Sequence, residues 1–241
     1  REYLALGLIP PAHDLLNDNA TGAEGSVELL ALRKQVAALE GLPLSWDDFS
    51  RTFNANLDAL SSRGLDVTLI REAWTRSEPD FQLFRDRHGV HQIRRRLNSR
   101  GWRWTPYLGN HRAVDDARPL PESIGKPMPG PFLFSGLGMG RFFERVYEAT
   151  LNTFLGYCCA LYIIEPDAAA LAAILHLHDW TKLLADPRVF LFVGDNWREQ
   201  ALAAWDADPD LPLPQEAITS PVVRNTPPPD ERFFLPEKHG N

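Results

Sequence analysis

Phe132-Leu133-Phe134-Ser135-Gly136-Leu137-Gly138-Met139-Gly140 is the stretch on which the fold turns. Phe132 to Phe134 form a short apolar run, which suits a buried strand. Three glycines follow at alternate positions, and a helical pattern then runs from Arg141 to about Asn152. A strand that ends in glycines and leads into a helix places backbone N–H groups at a helix N-terminus. Glycine lets the chain turn tightly there and lets a ligand approach the backbone. The same unit recurs downstream. Leu161-Tyr162-Ile163-Ile164 is a second apolar strand, ending in Glu165-Pro166-Asp167, and a helix is expected from Ala168 to about Leu184. Val189 to Val193 is a third strand, ending in Gly194-Asp195, with a helix over roughly Trp197 to Trp205. Strands without polar alternation, separated by helices, indicate a parallel sheet covered on both faces. The expected fold is therefore α/β, with a Rossmann-like, mostly parallel sheet over 131–205.

Five residues are candidate binding positions at the carboxyl ends of these strands: Gly136, Gly138, Gly140, Glu165 and Asp195. An acid ending the second strand can accept both hydroxyls of a ribose. Glu165 lies 29 residues after Gly136, beyond the usual ~20, and Asp167 is the alternative. The glycine spacing is GxGxG, not the GxGxxG of dinucleotide enzymes. It is closer to the first motif of Rossmann methyltransferases, although those carry an acid where this chain has Ser135. The competing reading is structural: the glycines make a tight turn, and acids such as Asp167 cap the helices that follow.

Upstream, residues 1–105 read as a helical layer. The first twenty-five residues resemble a leader or loop, and a helix is expected from about Val27 to Glu40. A second helix carries Phe49, Phe53, Leu57 and Leu60 and ends at Gly64. Asp66 can cap a third, with Leu69, Ile70 and Trp74 on its inner side. A fourth short helical segment is expected through Phe81 and Phe84. Arginine is concentrated over 85–103, at positions 85, 87, 94, 95, 96, 100 and 103, with His88, His91, Trp102 and Trp104 nearby. Guanidinium groups suit phosphate and aromatic rings can stack on bases. Equally, a solvated helix face would pair these arginines with acids elsewhere.

Composition sets the outer limits. The 241 residues carry a net charge of −7, which argues against a general nucleic-acid binder. No apolar run reaches the ~18–20 residues of a membrane helix. The two cysteines, Cys158 and Cys159, are neighbours in an apolar stretch, which suits a reducing, cytoplasmic home. Thirteen of the twenty prolines lie in a linker over 106–130 and in a C-terminal segment over 206–241, where only Ile218 to Val223 could add a strand. His176, His178 and Asp179 resemble a metal cluster, but helical spacing turns His178 away from the other two, so no metal site is expected. No GxSxG, HExxH, paired CxxC or Walker lysine motif occurs.

The order FLFSGLGMGRFFERV, LYIIEPDAAALAAILHLHDWTKLL and RVFLFVGD resembles the N-terminal Rossmann-like region of the motility accessory factor (Maf) glycosyltransferase-like proteins. Residues 53–60, FNANLDAL, are similar to the helix that precedes this region in that family, and the resemblance spans about 45–200. Gly136, Gly138, Gly140 and Glu165 match the family pattern. The resemblance implies flagellin glycosylation with a nonulosonic acid, such as pseudaminic or legionaminic acid, from a CMP-sugar donor. It also implies a bacterial, cytoplasmic setting. It places the catalytic part in a central domain beyond the region seen here, so the chain is expected to stop before that domain, and no catalytic residue is carried over. Two other readings remain open: an S-adenosylmethionine-dependent methyltransferase built on Gly136–Gly140, Glu165 and Asp195, and an interaction module that holds an acidic partner through Arg94, Arg95 and Arg96.

Overall fold

The computed structural model describes residues 30–35, 42–85, 91–96, 102–103, 118–151 and 158–219. The expected leader, most of the first expected helix, Arg87, His88, Arg100, Trp104 and many of the prolines lie outside them. Four strands make a parallel sheet: β5 (Phe132–Ser135), β6 (Leu161–Glu165), β7 (Val189–Val193) and β8 (Glu216–Thr219). Their order is β7-β6-β5-β8, and β5 pairs in parallel with both β6 and β8. This is the 3-2-1-4 order of a Rossmann-like half. All of β5 and β6 is buried, as an apolar run without polar alternation requires. The fourth strand comes from beyond 205, out of the proline-rich segment.

Strand order fixes the helix layers. The helices leaving β5 and β6 step in one direction along the sheet, so right-handed crossovers put them on one face. The helix leaving β7 returns across the sheet to reach β8 and covers the other face. The helices after β5 and β6 are α3 (Arg141–Ala149), α4 (Ala168–Leu177) and α5 (Thr181–Ala185). They pack on Phe132, Phe134, Leu161, Ile163, Val189 and Leu191. The last helix, α6 (Trp197–Ala207), packs with Leu133, Tyr162, Ile164 and Phe192 on the opposite side. Among the described residues, no helix is long and apolar enough to cross a membrane.

Two helices, α1 (Ser50–Ser62) and α2 (Thr68–Ser77), form the second and third expected elements of the upstream part. They lie on the outer side of α4. This explains why α4 is apolar all round: Ala168 to His176 is buried without a break between the sheet and α1–α2. The long helix expected over 168–184 is in fact two, separated at His178-Asp179-Trp180. Asn56, fully buried on α1, makes the break. Its Nδ2 donates to the carbonyls of Leu175 and His178, each at 2.7 Å, and its Oδ1 accepts from Trp180 N–H at 2.9 Å. Asn56 thus satisfies carbonyls that a helix end leaves open. Asn56→Ala is expected to cost about 3 kcal/mol in denaturant unfolding, because two buried backbone groups and one half-buried one lose their partner.

Residues 30–35 are helical, inside the first expected helix, but the expected helical segment through Phe81 and Phe84 is not. A second, antiparallel sheet runs β1 (Leu42–Leu44), β2 (Phe81–Arg85), β3 (His91–Arg96) and β4 (Trp102–Arg103) in that order. Phe81 and Phe84, expected on a helix, belong to β2. The pair Leu83↔Ile93 and Phe81 face the helices, while Phe84 and Gln92 are buried on the reverse side. Strand alternation is the reason: period two, not 3.6, sends Phe81 and Leu83 inward. The arginines correspondingly lie on strands. Arg94 stands 4.6 Å over the Phe84 ring and donates to Gln82 Oε1 at 2.7 Å. Arg95 lies over Phe81 and pairs with Asp167 at the start of α4.

Candidate functional site

The glycine turn joins β5 to α3. Gly136, Gly138 and Gly140 all have positive φ, at 73°, 56° and 78°. Gly136 N–H continues the sheet by donating to Ile164 O at 2.8 Å. Gly140 N–H closes a turn onto Leu137 O at 2.9 Å, and Glu144 N–H then donates to Gly140 O, opening α3. The turn is buried throughout. At Gly140 a side chain is excluded, since a Cβ there would lie 2.3 Å from Trp180 Cζ2.

Glu165 ends β6 beside this turn, and the structure brings the two together. The carboxyl is fully buried, and both its oxygens are committed. Oε2 accepts from Leu137 N–H inside the glycine turn, and Oε1 accepts from Asp167 N–H, each at 3.1 Å. Burial pushes the Glu165 carboxyl up to about 8, although the two backbone donors favour its charged form. Asp167 has its own tasks. Its Oδ1 caps α4 through Ala169 and Ala170 N–H, each at 3.1 Å, and its Oδ2 takes Arg95 from the second sheet.

Asp195 is not part of this arrangement. It is exposed beyond the end of β7. The sheet order places β7 two strands from β5, about 10 Å at usual strand spacing. The crevice where such sheets bind ligands lies on the other side, between β5 and β8. There the described residues leave a gap of about 10 Å³, bordered by Arg118, Phe134, Gly136, Phe142 and Ile218. That is room for about one water, whereas small-molecule sites run to about 300–1,000 Å³. Arg118 fills the opening, with its guanidinium 4.2 Å over the Phe142 ring. Among the described residues, the acid that would hold a ribose is turned onto its own backbone, at Leu137 and Asp167.

No protein-family model matches the chain, and neither does any curated protein or solved structure.

Two clusters at the site are not marked by any motif. Glu144, in the first turn of α3, accepts from Trp180 Nε1 at 2.5 Å and lies 3.0 Å from His178 Nδ1. Burial raises Glu144, but the bond and charge of His178, with Trp180 and Arg141, hold it below the ordinary carboxylate range. His176 instead lies in an aromatic box. Its ring stacks on Phe53 at 4.0 Å, with Trp74 at 4.5 Å and Trp46 at 5.4 Å. Its Nδ1 lies 2.7 Å from Ala172 O. Asp179 caps α5 at Thr181 N–H. The three residues that resembled a metal cluster thus have three separate partners.

The aromatic box has a consequence for pH. Burial lowers His176 from 6.5 to about 4. A proton therefore binds more readily to the unfolded chain between these values, and stability falls as pH drops from about 6.5 toward 4. The loss attributable to His176 reaches about 3 kcal/mol. Urea unfolding of His176→Phe at pH 7 and pH 4.5 is expected to lack this component.

Proposed function

We propose that the chain is the Rossmann-like N-terminal part of a Maf-like protein glycosyltransferase, and that it positions the partners of transfer without performing it. The support is the order of the strand ends: a glycine turn after the first strand, Glu-Pro-Asp after the second, and a third strand, preceded by α1 with its FNANLDAL run. The observation that carries the positioning role is the Glu165 carboxyl closed onto Leu137 and Asp167. A glycine turn braced from within works as a structural corner. In this reading the CMP-activated nonulosonic acid is handled by another domain, in a bacterial cytoplasm, and flagellin is the acceptor.

The methyltransferase reading has less support, since both oxygens of its ribose acceptor, Glu165, accept from the protein's own backbone. The arginine-held acidic partner is also weakened, because Arg94 and Arg95 are engaged with Gln82 and Asp167.

Calorimetric titration tests the proposal. CMP and S-adenosylhomocysteine at millimolar concentration are expected to give no binding heat, and purified flagellin is expected to bind. Micromolar binding of either small ligand, or no binding of flagellin, would overturn it.

A further inference from the structure

A string of polar contacts runs from the second sheet to the glycine turn. On β3, Arg95 lies over the Phe81 ring and pairs with the Asp167 carboxylate. Asp167 N–H donates to Glu165 Oε1, and Leu137 N–H, inside the turn, donates to Glu165 Oε2, each at 3.1 Å. Pro166 stands between the two acids with a fixed φ and no N–H, so the corner offers Glu165 only the Asp167 donor. Among the described residues, no other hydrogen bond ties residues 137–139 to another element.

The string passes through a carboxyl that has no cation beside it. Glu165 is fully buried. In the sheet, β7 sets Val193 opposite it, and β5 ends at Ser135, opposite Ile164. The charge that acts on it is Asp167, which opposes ionisation, and Arg95 offsets that charge from the far side of Asp167. The two N–H donors favour the ion, burial disfavours it more strongly, and the carboxyl is pushed up to about 8 from its ordinary 4.5. An ionised Glu165 is therefore better served by water than by this corner. Reaching water means releasing the N–H groups of Leu137 and Asp167. The way out is short, because the side chains of Arg95 and Asp167 are already 26% and 36% exposed.

We propose that Glu165-Pro166-Asp167 is a pH-operated latch on the glycine turn, and that the second sheet sets its working point. With Glu165 neutral, the corner holds the turn shut. With Glu165 ionised, the corner opens locally while the sheet stays folded. The Arg95–Asp167 pair decides how much negative charge Glu165 faces, and so the pH at which the latch lets go. The latch rests on the brace that carries the positioning role, but not on the glycosyltransferase assignment, since no arm of the test uses a sugar nucleotide or flagellin.

The Glu165 Cδ resonance of the whole chain, labelled at glutamate and assigned by its loss in Glu165→Gln, follows the titration. A midpoint near 8 is expected. Asp167→Asn, which keeps the helix cap, should move the midpoint down, and Arg95→Gln should move it up, each by about half a pH unit or more. Amide exchange at Leu137 and Asp167, corrected for its intrinsic pH dependence, reads the opening. Protection is expected to fall at least tenfold between about pH 5 and pH 8 and then to level, because the open corner gives up the proton that the closed one keeps. It should stay flat in Glu165→Gln. Ile163, in the middle of β6, should remain at least tenfold better protected throughout. Equal protection at Leu137 and Ile163 would overturn the proposal, since the corner would then open only with the whole fold. A midpoint below about 6, or one that Arg95→Gln leaves in place, would also overturn it.

Discussion

Gly140→Ala is expected to destabilise the fold by about 2–5 kcal/mol, a large share of the ~5–15 kcal/mol that holds a domain together. Two effects add. A left-handed backbone costs a residue with a side chain about 1–2 kcal/mol, and Gly140 has φ of 78°. The new methyl would also lie 2.3 and 2.4 Å from Trp180 Cζ2 and Cη2. Overpacking of this kind costs about 1–3 kcal/mol. The ring cannot move aside freely, because its Nε1 is bonded to Glu144 and it packs on Phe143 and His178. Guanidinium unfolding checks the size, and a loss under 1 kcal/mol would contradict it. In a Trp180→Leu background the steric part vanishes, so the same substitution should cost only about 1–2 kcal/mol.

The parts of this fold that could be read from sequence are those whose burial is complete. Phe132–Phe134, Leu161–Ile164 and Val189–Val193 are apolar without alternation because both faces of the sheet are covered, and that pattern needs no knowledge of partners. The second sheet is different. Phe81-Gln82-Leu83-Phe84-Arg85 carries apolar residues at spacings that fit a helix as well as a strand. His91-Gln92-Ile93-Arg94-Arg95-Arg96 has one strong apolar residue, Ile93. Only the pairing of these two runs defines them, and pairing is not local. The division of the helix at His178 is equally hidden. No glycine or proline marks it, and its cause is Asn56, more than 100 residues earlier. At the site, Glu165 and the glycines could be read as strand-end positions. Their mutual contact depends on β5 and β6 being neighbours, and its direction turned a presumed ligand acceptor into an internal brace.

That brace gives the second large effect. Glu165→Leu removes the acceptor for a buried N–H at Leu137 and a half-buried one at Asp167, and is expected to cost about 3 kcal/mol. Glu165→Gln separates charge from hydrogen bonding. The carboxamide keeps the volume and one acceptor oxygen, but its NH₂ must face a backbone N–H, so a cost of about 2 kcal/mol remains. The pH dependence then identifies the carboxyl. Its folded value lies near 8 and its ordinary value at 4.5, so the folded chain holds a proton that the unfolded chain has lost between these limits. The Glu165 contribution is therefore fully present below pH 4.5 and is lost as pH rises through 8. In Glu165→Gln that loss disappears. The variant should be weaker than the parent at pH 4, where the carboxyl is neutral in both states, and more stable than the parent at pH 8.5. Denaturant midpoints at the two pH values measure this gap, and a gap that widens with pH would mean that the carboxylate, not the neutral acid, braces the glycine turn.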